Sequence, residues 1–202
     1  MCGAYIVKVR RGELERRFGL PDQNPLNFEW DRLLRPTDAA PIVRRGESGD
    51  LELILARWGF VPANAESLAE VRKLSLFNAR DDKLEPSKIW REAFRTRRCI
   101  VPASSFIEFG GPKGSRLPVP IGLASGQVFG MAGLWSRWVR GDQIVESFAV
   151  VTTAPNAVVA PLHHRMPVIV KPNDWAAWLA PNSEVADLQV MLRPYPSSHM
   201  VV

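Results

Sequence analysis

The chain is poor in cysteine, histidine and tyrosine, with two, three and two of them among 202 residues. Two cysteines, Cys2 and Cys99, do not make a disulfide framework. With so few histidines, no Cys/His cluster completes a metal's ligand set, so neither a metal nor another cofactor is expected. No apolar run is long enough to cross a bilayer, which excludes a helical membrane span. The opening segment Met1–Gly12 lacks the charged start and long apolar stretch of a signal peptide, so a cytosolic protein without a membrane partner is expected. Repeats and low-complexity tracts are missing, and no long run of one charge occurs.

What remains is the composition of a globular protein. Hydrophobic residues make up 46% and charged residues 23% of the chain, enough for one domain with a real core. The net charge of +5 favours an anionic partner only weakly. Its basic residues fall in small groups, at Arg10–Arg11, Arg16–Arg17, Arg44–Arg45 and around Arg95, Arg97 and Arg98. Any nucleic-acid surface therefore has to be assembled by folding.

Seventeen prolines and fourteen glycines are scattered, punctuating many short elements. Alternation predicts a strand over 3–9. Residues 41–60 read as a hairpin turning at Gly46-Glu47-Ser48-Gly49-Asp50. Helical spacing covers 65–73 and 87–97, with Ser87 as N-cap. Strand segments follow at 99–102 and 105–109. Another hairpin is expected between 117–124 and 127–135, then a strong strand at 143–153. Asn173 is placed to cap a short helix carrying Trp175, Trp178 and Leu179. Strands outnumber helices and are seldom separated by them. The fold class expected is α+β, mainly antiparallel sheet with a few short peripheral helices.

Cys2 follows the initiator methionine directly, and a small second residue permits that methionine's removal. An amino-terminal cysteine carries an amine and a thiol on adjacent carbons. With an aldehyde it forms an imine, and the thiol then closes a five-membered thiazolidine. The α-amine titrates at about 7.7–8.0 against about 10.4 for lysine, so at neutral pH its nucleophilic form is roughly several-hundredfold more abundant. Cys99, in an apolar run, reads as a buried structural thiol. Two of the three histidines, His163 and His164, lie together before Arg165-Met166-Pro167, and imidazole suits proton transfer at neutral pH. Glu108 is flanked by apolar residues. Simple alternation turns it to solvent; the alternative is a pocket that raises its pKa.

Five segments in order carry a resemblance: Met1-Cys2-Gly3, Asn78-Ala79-Arg80, Arg98-Cys99-Ile100-Val101-Pro102 with Phe106 and Glu108, Ala132-Gly133-Leu134-Trp135, and His163-His164-Arg165-Met166-Pro167. Together they resemble the SOS response-associated peptidase (SRAP) family, and Trp58-Gly59-Phe60-Val61-Pro62 is similar to a further segment of it. The resemblance runs from residue 1 to about residue 170, with a weaker echo in 194–202. It implies one domain over 1–202 and an abasic-site sensor that cross-links single-stranded DNA through a Cys2 thiazolidine. It also implies self-processing at Met1-Cys2, a monomer, and association with the nucleoid when DNA is bound.

On that resemblance Cys2 is the nucleophile, and Asn78 holds its amine and the reacting sugar. Glu108 moves protons, and His163 assists sugar-ring opening and reversal, while His164 takes a variable position. Arg80 and Arg165 lie near phosphates. The chain departs from the family at Ala4, where an arginine is usual, at Leu33-Leu34-Arg35-Pro36-Thr37, at Asp82, where a glutamate is usual, at Ser104-Ser105 and at Phe109. Arg35 is a candidate to replace the charge lost at Ala4. Two other readings start from the same residues: an amino-terminal-nucleophile amidohydrolase, with the Cys2 thiol attacking an amide, and a non-catalytic DNA-binding module. If Cys2 is the mature amino terminus, the intact mass of the purified protein is lower than the translated sequence by one methionine residue. Retention of Met1 would leave the amine blocked.

Overall fold

A computed structural model describes residues 2–20, 29–112 and 114–202; Met1, on whose removal a free Cys2 amine depends, lies outside them. Strand β1 (Tyr5–Arg10) buries Tyr5, Val7 and Val9 on one face. A helix that periodicity did not suggest, α1 (Arg11–Phe18), follows. It ends at Gly19, whose φ of 64° lets its N–H reach the Glu15 carbonyl. Strand β2 (Glu29–Leu34) runs back along β1 with Leu34 opposite Tyr5.

The expected hairpin over 41–60 is formed by β3 (Ala39–Arg45) and β4 (Leu51–Trp58), with Arg45 opposite Leu51. Gly49 at φ 89° makes its turn, and the Gly46 N–H closes it on the Asp50 carbonyl at 2.8 Å. Helix α2 (Leu68–Val71) fills only the middle of the helix expected at 65–73, capped by the Ser67 hydroxyl. After β5 (Asn78–Arg80), helix α3 (Arg91–Thr96) begins four residues beyond Ser87. Ser87 is not its N-cap, because its hydroxyl accepts the Ile89 N–H and closes a turn ahead of the helix.

Strands β6 (Arg98–Ala103), β7 (Ser105–Gly110), β8 (Leu117–Leu123), β9 (Phe129–Arg140) and β10 (Gln143–Thr153) come next. The hairpin expected between 117–124 and 127–135 does not form. β8 pairs with β7, whereas β9 pairs with β6 and β10. Two features separate them. Pro118 and Pro120 leave that half of β8 no N–H groups for a second partner. Residues 129–134 of β9 are buried at every position and need cover on both faces. The chain ends through β11 (Met166–Pro167), β12 (Ile169–Val170), α4 (Trp175–Leu179), α5 (Val185–Met191) and β13 (Met200–Val201). At α4 the residue preceding the helix is Asp174 rather than Asn173, and neither side chain caps it, because Pro172–Asp174 first makes a 3₁₀ turn.

One sheet has the order β13-β8-β7-β1-β2. In the other, β4, β3, β6, β9 and β10 close into a barrel-like ring, since β10 pairs with both β9 and β4. The short β10–β4 and β10–β5 pairings are parallel and the other pairings antiparallel. The α+β, mainly antiparallel class read from the sequence is the one observed. One buried cluster spans both sheets, from Tyr5 and Phe106 to Ile42, Met131 and Phe148.

Cys99 is buried, as its apolar neighbours indicated. Arg98 is also buried, giving its guanidinium to the carbonyls of Phe94, Trp178 and Ala180. It thereby satisfies the ends of α3 and α4, while desolvation lowers its pKa to about 10.

Gly133 faces β6 where nothing larger fits. A Cβ there would lie 2.7 Å from Cys99 Sγ and 2.8 Å from Val101 Cγ2. Gly133→Ala is expected to cost about 1–3 kcal/mol, checked as a lower denaturation midpoint in urea; an unchanged midpoint would show that β6 yields freely.

Candidate active site

The site is assembled by strand register. Tyr5 lies opposite Phe106, and the Ile107 N–H donates to the Ala4 carbonyl at 2.9 Å. Two residues further toward the amino terminus, Cys2 comes within the electrostatic reach of Glu108. On β10, Thr152 pairs with Arg80 of β5 and also with Pro167 of β11. The end of β10 thus carries Asn78–Arg80 along one edge and brings 163–165 in along the other. Asn78 Nδ2 donates to the Cys2 carbonyl at 2.9 Å. Gly110 admits Leu162, whose Cδ2 would stand 2.9 Å from a Cβ at that position. This close approach seats the 162–165 segment against β7.

Cys2, Asn78 and Glu108 are therefore brought together, with the histidines at their border. Cys2 is wholly buried, and Asn78 and Glu108 nearly so. Glu108 does not turn to solvent as alternation suggested. It shares the inner face of β7 with fully buried Phe106, and Phe109 takes the exposed position. Ile107 is buried as well, so at this point both faces of β7 are covered and alternation carries no contrast. His163 is half-buried, and exposed His164 stacks on it with ring centroids 4.2 Å apart.

Burial raises the Glu108 pKa, and the positive charges of the amino terminus and His164 only partly pull it back. Burial first, and the neighbouring Glu108 charge second, push the Cys2 thiol up to about 12. The thiol therefore holds its proton at neutral pH beside a carboxyl of raised proton affinity. Burial lowers the His163 pKa, which favours a neutral ring. His163 Nδ1 lies 3.0 Å from the Arg165 N–H nitrogen and 3.1 Å from the Arg165 carbonyl. Asn78 Oδ1, buried, finds no hydrogen-bond partner among the described residues.

The two arginines behave differently. Arg80 is half exposed and binds Asp82 through Nε and Nη2, both at 2.9 Å. Arg165 is turned inward, its Nη2 shared by Asp81 Oδ1 at 2.5 Å and the Thr152 carbonyl. Trp30, Trp58, Trp90, Trp138 and Trp178 are buried, whereas Phe109, on the outer face of β7 next to Glu108, is 48% exposed. Sequence reasoning missed Asp81, for which an acid directly after Asn78-Ala79-Arg80 was the available signal. Ala4 precedes Tyr5 and Arg35 follows Leu34, so the β1–β2 pairing brings both to one end of the ladder.

A cysteine at the second position, buried against an asparagine and a glutamate with a histidine alongside, is a thiol-centred site built on the start of the chain. The chain belongs to the SOS response associated peptidase (SRAP) family, whose pattern matches residues 1–202. It is 34% identical to the abasic site processing protein YoqW of Bacillus subtilis strain 168, over 99% of this chain and 90% of that one. It is 33% identical to the abasic site processing protein YobE of the same organism, over 99% and 92%. Its fold is that of a crystal structure from Bacteroides thetaiotaomicron, with TM-score 0.88 at 23% identity over 99% of this chain and 90% of that chain. A structure from Bordetella bronchiseptica matches with TM-score 0.84 at 24% identity, over 99% and 97%.

Because burial raises the folded-state pKa of Glu108 above its unfolded value, the folded state loses stability as pH rises from the ordinary glutamate range through that raised value. Glu108→Gln is accordingly expected to melt above the parent at neutral pH. The difference should close in acid, where the carboxyl is protonated in both states. Thermal unfolding across pH checks this, and a lower melting temperature at neutral pH would mean that the surroundings stabilise the carboxylate.

Proposed function

We propose that this protein captures abasic sites in single-stranded DNA, once Met1 is removed, by closing a thiazolidine between Cys2 and the aldehyde of the opened sugar. The observation that carries this reading is the position of Cys2, its carbonyl held by Asn78 beside a buried Glu108. The relatives' description as abasic site processing proteins supports it. An amide-cleaving thiol would have no evident use for the buried glutamate.

The freed Cys2 amine attacks the aldehyde carbon. Protonated Glu108 gives its proton to the departing hydroxyl, and one water leaves as the imine forms. The thiol then adds to the imine carbon. Its proton, held tightly at neutral pH, passes to the Glu108 carboxylate, while the ring nitrogen keeps the hydrogen it carried in the protonated imine, so the glutamate returns to its starting state. Asn78 Oδ1 accepts a hydrogen bond from the new amine and holds it toward the sugar. His163, accepting the Arg165 N–H at Nδ1, carries its proton on Nε2 and offers it as a hydrogen bond to the sugar oxygen during ring opening and reversal.

Arg80 meets a phosphate, exchanging the Asp82 carboxylate for it, and Arg35 supplies charge at the end of the ladder where Ala4 has none. Phe109 offers a face on which a flanking base stacks. The same site cuts Met1 from Cys2.

Incubation with an abasic single-stranded oligonucleotide is expected to add the mass of one oligonucleotide less one water, and nothing in Cys2→Ala. Glu108→Gln should slow adduct formation by on the order of 10²-fold. An adduct formed equally by Cys2→Ala would overturn this reading.

A further inference from the structure

We infer that Asp81 is a positioning residue for His163, acting through Arg165. Resemblance alone sends Arg165 to a phosphate, but its guanidinium is buried, with Nη2 engaged and Nε without a partner among the described residues. Nη2 meets Asp81 Oδ1 at 2.5 Å and the Thr152 carbonyl, with 10% of the Arg165 and 20% of the Asp81 side chain exposed. Asp81 is itself fixed, because the same Oδ1 accepts the Asp82 N–H at 2.8 Å at the start of a 3₁₀ turn. A charge pair this enclosed, locked to β10 at Thr152, sets where the Arg165 backbone lies.

That backbone is what holds the histidine. Both the N–H and the carbonyl of Arg165 lie within about hydrogen-bonding distance of His163 Nδ1, at 3.0 and 3.1 Å. A neutral ring accepts from the N–H, so its own proton stays on Nε2, the nitrogen turned away from Arg165. Asp81 thereby selects one tautomer and one ring orientation. The next residue does the opposite work: Asp82 pairs with Arg80 where both are half exposed. Two successive carboxylates sort two arginines, one inward to hold a catalytic ring and one outward to remain exchangeable.

The test compares the parent, Asp81→Asn and Asp81→Glu as full-length proteins. Nitrogen-15 spectra of labelled histidine at neutral pH are expected to show one Nε2–H tautomer for His163 in the parent. Asp81→Asn should show mixed tautomers, and Asp81→Glu should restore the single one. With an abasic oligonucleotide, Asp81→Asn is expected to reproduce the His163→Ala defect, adduct reversal slowing by on the order of tenfold, with Asp81→Glu recovering most of it. An unchanged His163 spectrum in folded Asp81→Asn would overturn the inference. So would tighter DNA binding with parental reversal, which would make Arg165 a phosphate ligand held in reserve. If Asp81→Asn does not fold, Arg165→Gln takes its place, since it removes the Nη2 that reaches both Asp81 and Thr152. Its His163 spectrum should again be mixed, and an unchanged one is fatal. The kinetic comparison rests on the abasic-site reading, whereas the spectra need no DNA, so a parent that forms no adduct counts against that reading alone.

Discussion

A hydrogen bond from the Asn78 amide to the Cys2 carbonyl ties the start of the chain to a strand 76 residues away. Much of the architecture serves to make that bond fall where it does. β1 is clamped between β2 and β7, so the residues ahead of it enter the interior instead of fraying. β5 is only three residues long and holds its place by lying along β10. β10 closes the barrel-like ring and carries the 163–167 segment on its other edge, so a single long strand indexes the asparagine against the histidine. Bringing carboxyl, thiol and amide out of water is unfavourable taken alone, and the surrounding apolar cluster offsets it.

The sequence showed the site more clearly than the packing around it. Cys2, Asn78, Glu108 and His163 stood out because the ordered segments that carry them resemble the family, and the strand registers bring the first three within reach of one another. What it concealed was direction. Glu108 lies between two apolar neighbours, and one-dimensional alternation turns it outward. Its burial depends on β1 and the 162–165 segment covering β7, neither of which is local to it. The same limit applies to Arg165, whose charge suggested an exposed phosphate ligand until Asp81 and Thr152 were seen to enclose it.

For the fold, strong strands such as 143–153 and the hairpin at 41–60 were legible because β-branched residues and a glycine-bearing turn specify them locally. The pairing of 117–123 was not. Two adjacent strands separated by a short polar turn look like a hairpin, yet they diverge into different sheets. Prolines in one and two-sided burial in the other decide the outcome, and both act through partners distant in sequence. α1 went unseen for a different reason: Arg11–Phe18 is strongly polar, and its end is marked chiefly by the left-handed Gly19.

The order in which these parts are synthesised has its own consequence. Cys2 is made almost first, but β5, β7 and β10, which enclose it, follow at residues 78, 105 and 143. During translation Cys2 is therefore open to other molecules well before the residues that enclose it are made. Once β10 has closed the ring, Cys2 is wholly covered, so the folded domain shields a residue that the growing chain leaves open. Timing of chain growth thus separates a period when that cysteine is open on every side from one when the folded domain governs access to it.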